Sequence, residues 1–206
     1  DTTPWDDVVA ALEAAGGDVA VDVAGFRARS QFVDTRALAG PLGELAATEF
    51  TAGRGIVEAA AALCRRIQRE FDFDPGFSDV STPLADVLAA RRGVCQDFAH
   101  LAIGALRSLG LAVRYVSGYI ETVPPPGQPR LEGADASHAW CSVWTPRAGW
   151  VDFDPTNGHL PVNDHVTVAW GRDYADVIPV RGVMIGPSTE QQLDVSVDVQ
   201  RAGDGA

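Results

Sequence analysis

Two residues of this sequence are placed where they could carry out nucleophilic chemistry. Cys95 begins a stretch whose apolar residues recur at helical spacing up to Gly110, so the pattern predicts that Cys95 lies in the first turn of a helix. A thiol attacks a carbonyl carbon only as the thiolate, which a helix N-terminus and a neighbouring imidazolium both favour. His138 lies downstream on a predicted strand and is the candidate partner base.

A carboxylate could orient the imidazole, and the following strand offers both Asp152 and Asp154. If the hairpin turn centres on Arg147, Trp140 faces Asp154. Asp154 is then the diagonal neighbour of His138, about 7–8 Å away along the sheet. Asp152 is displaced from His138 by roughly 13 Å, at about 3.3 Å per residue. The predicted register therefore selects Asp154.

The surrounding pattern predicts an α+β fold in a single domain, because helices come first and neighbouring strands follow. Four helices are predicted: one from Thr3-Pro4 to Gly16-Gly17, one over Ile56–Phe71, one from Thr82-Pro83 to near Gly93, and one that begins at Cys95. The predicted strands are Phe26–Val33, Val113–Ile120, Ser137–Trp144, Trp150–Asp154, Val166–Ala169 and Leu193–Val199. An exposed loop is expected at Pro124–Gly127 and a turn at Pro146–Gly149.

Composition indicates a globular protein and excludes several classes of partner. The chain has 206 residues, of which 46% are hydrophobic and 21% charged. No apolar run approaches the roughly 20 residues of a membrane helix, so no membrane partner is expected. The net charge of −12 argues against a nucleic-acid partner, which needs clustered basic residues. The oligomeric state stays open.

The cysteines and histidines predict neither a disulfide framework nor a metal or cofactor site. Three cysteines without paired spacing indicate a reducing, cytoplasmic location. Cys64 falls on the apolar face of its helix and Cys141 on the strand face opposite His138, so both are expected to pack in the core. The four histidines show no zinc-ligand spacing.

Several blocks of this sequence, in the same order, resemble the bacterial transglutaminase-like superfamily. They are Arg92 to His100, Leu106 to Gly110, Arg114 to Tyr119, Ala136 to Trp140, Gly149 to Asn157 and Gly171 to Val177. The resemblance covers about residues 56–186 and implies a papain-like cysteine-enzyme core. It also implies that Cys95 is the nucleophile, His138 the base and Asp154 its orienting group.

The resemblance carries further expectations. Family members often have an additional N-terminal β-rich region, so we expect this chain, which begins at Asp1 without an initiator Met or a signal peptide, to be a piece of a longer protein. The oxyanion donors should be the Cys95 backbone N–H and one side chain that is not identified, with Gln96 a weak candidate. Structural roles, such as an internal ion pair between helix and sheet, are expected for Asp97, Arg114 and the segment around Arg172.

The expected function is thiol-dependent attack on a peptide or side-chain amide through Cys95, His138 and Asp154. Hydrolysis ranks above transfer to an amine, because nothing in the sequence marks an amine-binding subsite. The chain has no lysine, so its own side chains cannot serve as acceptors. A catalytically silent peptide-binding module on the same fold is the alternative, and a metal-dependent hydrolase lacks the ligand spacing. Taken singly, each of the three residues also has an ordinary structural explanation.

Overall fold

The computed structural model describes residues 1–14, 16, 23–121, 136–180, 182 and 196–199. Its helices are α1 (Trp5–Ala14), α2 (Ala39–Ala47), α3 (Ile56–Glu70), α4 (Leu84–Ala90) and α5 (Cys95–Ser108), with a 3₁₀ turn at Tyr174–Asp176. Its strands are β1 (Asp72–Phe73), β2 (Arg92–Gly93), β3 (Val113–Ile120), β4 (Ala136–Thr145), β5 (Gly149–Phe153) and β6 (His165–Gly171). The α+β prediction is confirmed.

The main sheet is antiparallel and has the strand order β5-β4-β3-β6. The hairpin between β4 and β5 places Ser142 opposite Asp152 and Cys141 opposite Phe153. This is the register predicted from a turn centred on Arg147. On the other side of β4, Gly118 of β3 faces His138.

Helix α5 occupies the centre of the core. Its residues from Asp97 to Arg107 are all buried. It contacts β3 and β4 on one side and α2, α3 and α4 on others. The polar residues buried with it, Asp97, His100 and Arg107, each have a hydrogen-bond partner.

Helix α2 is the main element that the sequence did not predict. Its sequence contains two glycines and a proline, which are poor helix formers in isolation. Packing decides the structure here, because Leu42 and Leu45 are buried. Leu42 lies so close to Gly104 of α5 that a Cβ added to Gly104 would come within 2.9 Å of it.

The predicted strand at Phe26–Val33 is wrong, since the segment forms turns and irregular structure. The reason is the buried guanidinium of Arg107, which donates to the Phe26 carbonyl (2.8 Å) and the Ala28 carbonyl (3.2 Å). The Phe26 carbonyl also accepts the backbone N–H of Val113, the first residue of β3, at 3.0 Å, so these carbonyls are satisfied without a continuous strand pairing.

Three other predictions differ from the structure or fall at least partly outside the described residues. Strand β6 is longer than predicted, and the loop at Pro124–Gly127 lies outside the described residues. The predicted strand at Leu193–Val199 lies partly outside them, and its described residues, 196–199, have no regular structure. Among the described helices, none is long and apolar enough to cross a membrane.

Candidate active site

Cys95 is held at the first position of α5 by the short parallel pair β1–β2, which ends two residues before it. The Asp97 carboxylate accepts a hydrogen bond from the Val94 backbone N–H (2.8 Å) and another from the Ser78 hydroxyl. Gly93 leaves room for this contact, because a Cβ there would lie 2.7 Å from the Asp97 carboxylate. The thiol therefore sits, half-buried, beside the free N–H groups of a helix N-terminus.

The His138 ring joins the thiol to a carboxylate. Its Nε2 lies 2.8 Å from Oδ2 of Asp154, and Cys95 is near enough to help raise the pKa of the ring. His138 is buried and Asp154 has no exposed surface. The structure thus brings together Cys95, His138 and Asp154, the three residues that the sequence selected.

The Asp154 carboxylate accepts hydrogen bonds on both oxygens. Oδ1 accepts the backbone N–H groups of Thr156 (2.8 Å) and Asn157 (3.2 Å), while Oδ2 also accepts the Asn157 side-chain amide (2.7 Å). Burial disfavours the charge of Asp154, but the bonds from His138, His165 and Asn157 outweigh it. They hold the pKa of Asp154 well below its usual range.

The electrostatics favour a protonated His138. Burial alone would lower its pKa, but the hydrogen bonds and charges of Asp154 and Cys95 raise the pKa of His138 to about 9. An imidazolium next to the thiol is the arrangement that stabilises a thiolate. The group can therefore supply both a nucleophile and a proton donor.

Asp152, the rejected alternative, has a different partner. Its Oδ2 accepts the indole N–H of Trp140 at 3.1 Å. Trp140 is fully buried and its ring lies 6.0 Å from the His138 ring. Asp152 thus fixes an aromatic neighbour of the histidine, while Asp154 contacts the histidine directly.

Sequence reasoning missed His165 at the start of β6. Its Nε2 lies 3.0 Å from the same Oδ2 of Asp154 that faces His138, and its Nδ1 lies 2.8 Å from Oδ1 of Asp164. No sequence spacing relates His165 to His138, because the two lie on different strands separated by β3. Only the sheet order brings them together.

The ligand atoms of His138, Asp154 and His165 lie within 4.8 Å of one another, and these residue types bind transition metals. Both Nε2 atoms, however, point at a single carboxylate oxygen. This is the geometry of two hydrogen bonds to a shared acceptor, and we interpret the cluster in that way. The expectation that the chain holds no metal stays a prediction.

A match between this sequence and a family profile shows to which family the chain belongs. A sequence profile described as the Transglutaminase-like superfamily matches residues 45–155, more than half of the 206 residues. The chain belongs to the transglutaminase-like superfamily. The resemblance seen in the sequence blocks is thereby confirmed, together with the papain-like fold that it implied.

Relatives of this transglutaminase-like chain include a protein of Mycobacterium tuberculosis, 50% identical over 160 residues (76% of this chain and 51% of that protein). The protein-glutamine gamma-glutamyltransferase of Pseudomonas aeruginosa is 36% identical over 67 residues (32% of this chain and 10% of that protein). A crystal structure from Cytophaga hutchinsonii, described as a candidate cysteine protease, has a TM-score of 0.64 at 28% identity, covering 81% of this chain and 51% of that chain.

This chain spans about half the length of the M. tuberculosis and C. hutchinsonii proteins. Superfamily membership and the cysteine-protease-like neighbour support a thiol-dependent enzyme at the level of the family.

The other cysteines of this transglutaminase-like domain are buried, as predicted. A hydrogen bond with Cys64 and burial raise the pKa of Cys141 well above its usual range. His100 is also buried, which lowers its pKa to about 4, and it accepts the Tyr174 backbone N–H at 3.2 Å. His100 is therefore a neutral structural residue.

Structural roles are expected for Asp97, Arg114 and the segment around Arg172. Asp97 caps α5, Arg114 lies between the rings of Trp150 (4.6 Å) and Trp170 (4.7 Å), and Arg172 pairs with Asp176 at 2.8 Å on the surface. The link between helix and sheet is instead Arg107, whose guanidinium donates to the Val113 carbonyl at 2.7 Å. The Gln96 amide is directed at the Val80 carbonyl, 3.5 Å away.

Proposed function

We propose that this protein is an acyl-transfer enzyme in which the Cys95 thiolate attacks the carbonyl of a peptide or side-chain amide, and in which water is the usual acceptor. One observation carries the proposal: the buried His138 ring bonds the Asp154 carboxylate at 2.8 Å and has Cys95, at the start of α5, as the neighbour that together with Asp154 raises its pKa. A silent peptide-binding domain has no need for this arrangement.

The first half of the reaction forms a thioester. The proton of the Cys95 thiol passes to His138, and the sulfur electron pair forms a bond to the carbonyl carbon of the amide. The carbonyl electrons move to oxygen. When the tetrahedral intermediate collapses, the carbon–nitrogen bond breaks and His138 gives its proton to the departing amine.

The second half releases the acid. His138, now neutral, takes a proton from water while the water oxygen bonds to the thioester carbon, and the carbon–sulfur bond then breaks to regenerate the thiolate. Asp154 keeps the imidazole oriented and stabilises its positive charge in both halves. In transfer, a primary amine would take the place of water.

The oxyanion of both intermediates needs donors near the nucleophile. The backbone N–H of Cys95, in the first turn of α5, lacks an intrahelical acceptor and is the proposed donor. Gln96 points toward the Val80 carbonyl, so a donor role for its amide requires a different rotamer. A second donor is therefore not assigned.

The choice between water and an amine rests on the relatives and the sequence. The C. hutchinsonii structure, described as a candidate cysteine protease, is similar over 81% of this chain. The chain itself has seven glutamines but no lysine. The structural neighbour and the lack of any sequence feature of an amine-binding subsite support hydrolysis over transfer, whereas the absence of lysine bars only self-cross-linking.

Thiol labelling tests the nucleophile. At about pH 6, where an ordinary thiol is almost wholly protonated, iodoacetamide should modify Cys95 first, because its partner imidazolium stabilises the thiolate. Cys64 and Cys141 are the internal controls, as both are buried. Mass spectrometry that finds either of them modified as fast as Cys95 contradicts the assignment. A screen of peptides and amides for activity that Cys95→Ser abolishes then identifies the substrate class.

A competing amine tests the acceptor. The enzyme is allowed to turn over its amide substrate with a primary amine present at millimolar concentration, and the two products are separated by mass spectrometry. Hydrolysis predicts mainly the free acid. If most of the product is the amine conjugate, transfer is the activity and the ranking is reversed.

A further inference from the structure

His165 lies between two carboxylates, one of which belongs to the candidate active site. Its Nδ1 is 2.8 Å from Asp164 and its Nε2 is 3.0 Å from Oδ2 of Asp154. Its side chain is only 2% exposed. Its ring packs against Trp140 in a T-shaped contact, with 5.0 Å between the centroids.

The two contacts determine the charge of the ring. A carboxylate that is ionised only accepts hydrogen bonds, so each nitrogen of His165 must carry a hydrogen. Both acids are held in that form: burial opposes it, but hydrogen bonds from histidine lower the pKa of Asp154 and of Asp164. A ring with hydrogen on both nitrogens is an imidazolium.

The surrounding charges alternate in sign. They form a series: the Asp164 carboxylate, the His165 imidazolium, the Asp154 carboxylate, the His138 imidazolium and the Cys95 thiolate.

One more titratable ring, His159, lies against this series, and the backbone beside it is bonded to β3. The ring of His159 lies 5.7 Å from the ring of His165, and its Nδ1 contacts the Leu160 carbonyl. The backbone N–H of Glu121, after β3, donates to the Asp164 carbonyl at 2.8 Å.

We propose that His165 is a positioning residue that, as an imidazolium held by Asp164, shares the Asp154 carboxylate with His138 and limits how tightly His138 holds its proton. The inference rests on the proposed function, since it assigns His138 the task of releasing that proton to the leaving amine. His165 itself does not touch the reacting atoms.

The physical reason is that two cations share one carboxylate oxygen. The ring centroids of His138 and His165 are 5.5 Å apart, so their positive charges repel. If His165 loses its charge, the Asp154 carboxylate interacts with the positive charge of His138 alone. The proton on His138 is then bound more strongly, and the imidazolium becomes a weaker acid.

The charge states can be read without any substrate, by following the ring nitrogens of the histidines in ¹⁵N-labelled protein through a pH titration by NMR. In the wild type at neutral pH, His165 should carry hydrogen on both nitrogens. In His165→Gln, which keeps an N–H donor without the charge, the pH at which His138 loses its proton should rise by about one unit. His159→Gln is the matched control and should leave this pH unchanged.

A second variant acts on His165 without touching Asp154. Asp164 is partly exposed, so Asp164→Asn should fold. It removes the carboxylate that holds His165 charged. His165 should then lose its proton at lower pH than in the wild type, and His138 should lose its own at higher pH, as in His165→Gln.

The outcomes separate this inference from the proposed function. If His165 is neutral at neutral pH in the wild type, or if neither variant changes the titration of His138, the inference is overturned. The rate of alkylation of Cys95 at about pH 6 is measured on the same samples. A wild-type Cys95 that reacts no faster than an ordinary thiol contradicts the proposed function, whatever the histidines do.

Discussion

At the scale of single residues, Asp154 and Asp152 differ in what they hold. Asp154 contacts His138 and His165 and closes the turn that follows β5, whereas Asp152 accepts the indole N–H of Trp140. Two carboxylates separated by one residue therefore have separate tasks: one orients the imidazole and the other orients its aromatic neighbour.

Asp154→Asn should lower turnover by about 10²–10⁴-fold, because the amide disturbs the tautomer and orientation of His138. Asp152→Asn should cost far less, since an amide oxygen can still accept the Trp140 N–H. The measurement is kcat for both variants, with circular dichroism to check folding. Equal losses, or a larger loss for Asp152→Asn, would contradict the roles assigned to the two residues.

The pH dependence follows from His138. Its pKa is raised from 6.5 to about 9, so its protonated form stabilises the fold fully below 6.5, and this contribution is lost as the pH rises through about 9. The leaving amine needs the same proton, so kcat/KM should fall above about pH 9.

The measurement is a kcat/KM profile from about pH 5 to about pH 10.5. Asp154→Asn is the comparison, because loss of the carboxylate charge should move the alkaline limb to lower pH. A wild-type profile that already declines near neutral pH would show that His138 is not held in its charged form.

At the scale of the elements, the close approach of β3 to its neighbours builds the site. Gly118 faces His138, and the pairing of β3 with β6 shifts register between Ser117 and Gly118. A Cβ at Gly118 would collide with the Val166 carbonyl and lie 2.7 Å from the Trp140 ring. Only glycine lets β4 and β6, the two neighbours of β3, lie close enough to hold His138 and His165 around one carboxylate.

Gly118→Ala should therefore destabilise the protein by about 3 kcal/mol or more, as expected for a clash with backbone that cannot move aside. Gly43→Ala, in α2, is the control: a Cβ there meets no atom within 4 Å. It should stabilise the protein by about 0.5–1 kcal/mol through helix propensity. Urea unfolding of both variants provides the measurement, and an unaffected Gly118→Ala would contradict the observed packing.

At the scale of the whole molecule, Arg107 connects parts of the chain that are far apart in sequence. Its guanidinium donates to the carbonyls of Phe26, Ala28, Val113 and Arg172. Burial lowers its pKa to about 10, which still leaves it charged at neutral pH. One cation on α5 thus holds the irregular early segment, the sheet and the segment after β6.

Arg107→Met should cost about 3 kcal/mol or more, because the methionine fills the space but leaves several buried carbonyls without donors. Arg91→Met is the control, because it makes the same substitution at a surface position. Arg91 pairs with Glu70 on the surface with its side chain 57% exposed, so its loss should cost no more than about 1 kcal/mol. Thermal or urea unfolding compares the two, and equal effects would contradict the role of Arg107.

The local sequence determined the helix that carries Cys95 and the hairpin that carries His138 and Asp154. Helical periodicity and a terminal glycine fix α5, while alternation and a tight turn fix the register of β4 and β5. These signals act over a few residues, so they can be read directly from the chain. They were enough to choose Asp154 over Asp152.

Tertiary structure alone decided the rest. Helix α2 forms in spite of its glycines and proline because Leu42 is buried against α5, and Phe26–Val33 is irregular because Arg107 and the Val113 backbone N–H bind the carbonyls of Phe26 and Ala28. His165 reaches Asp154 because β6 pairs with β3 and not with β5. Strand order and burial depend on contacts between segments far apart in sequence, and no local pattern of residues encodes them.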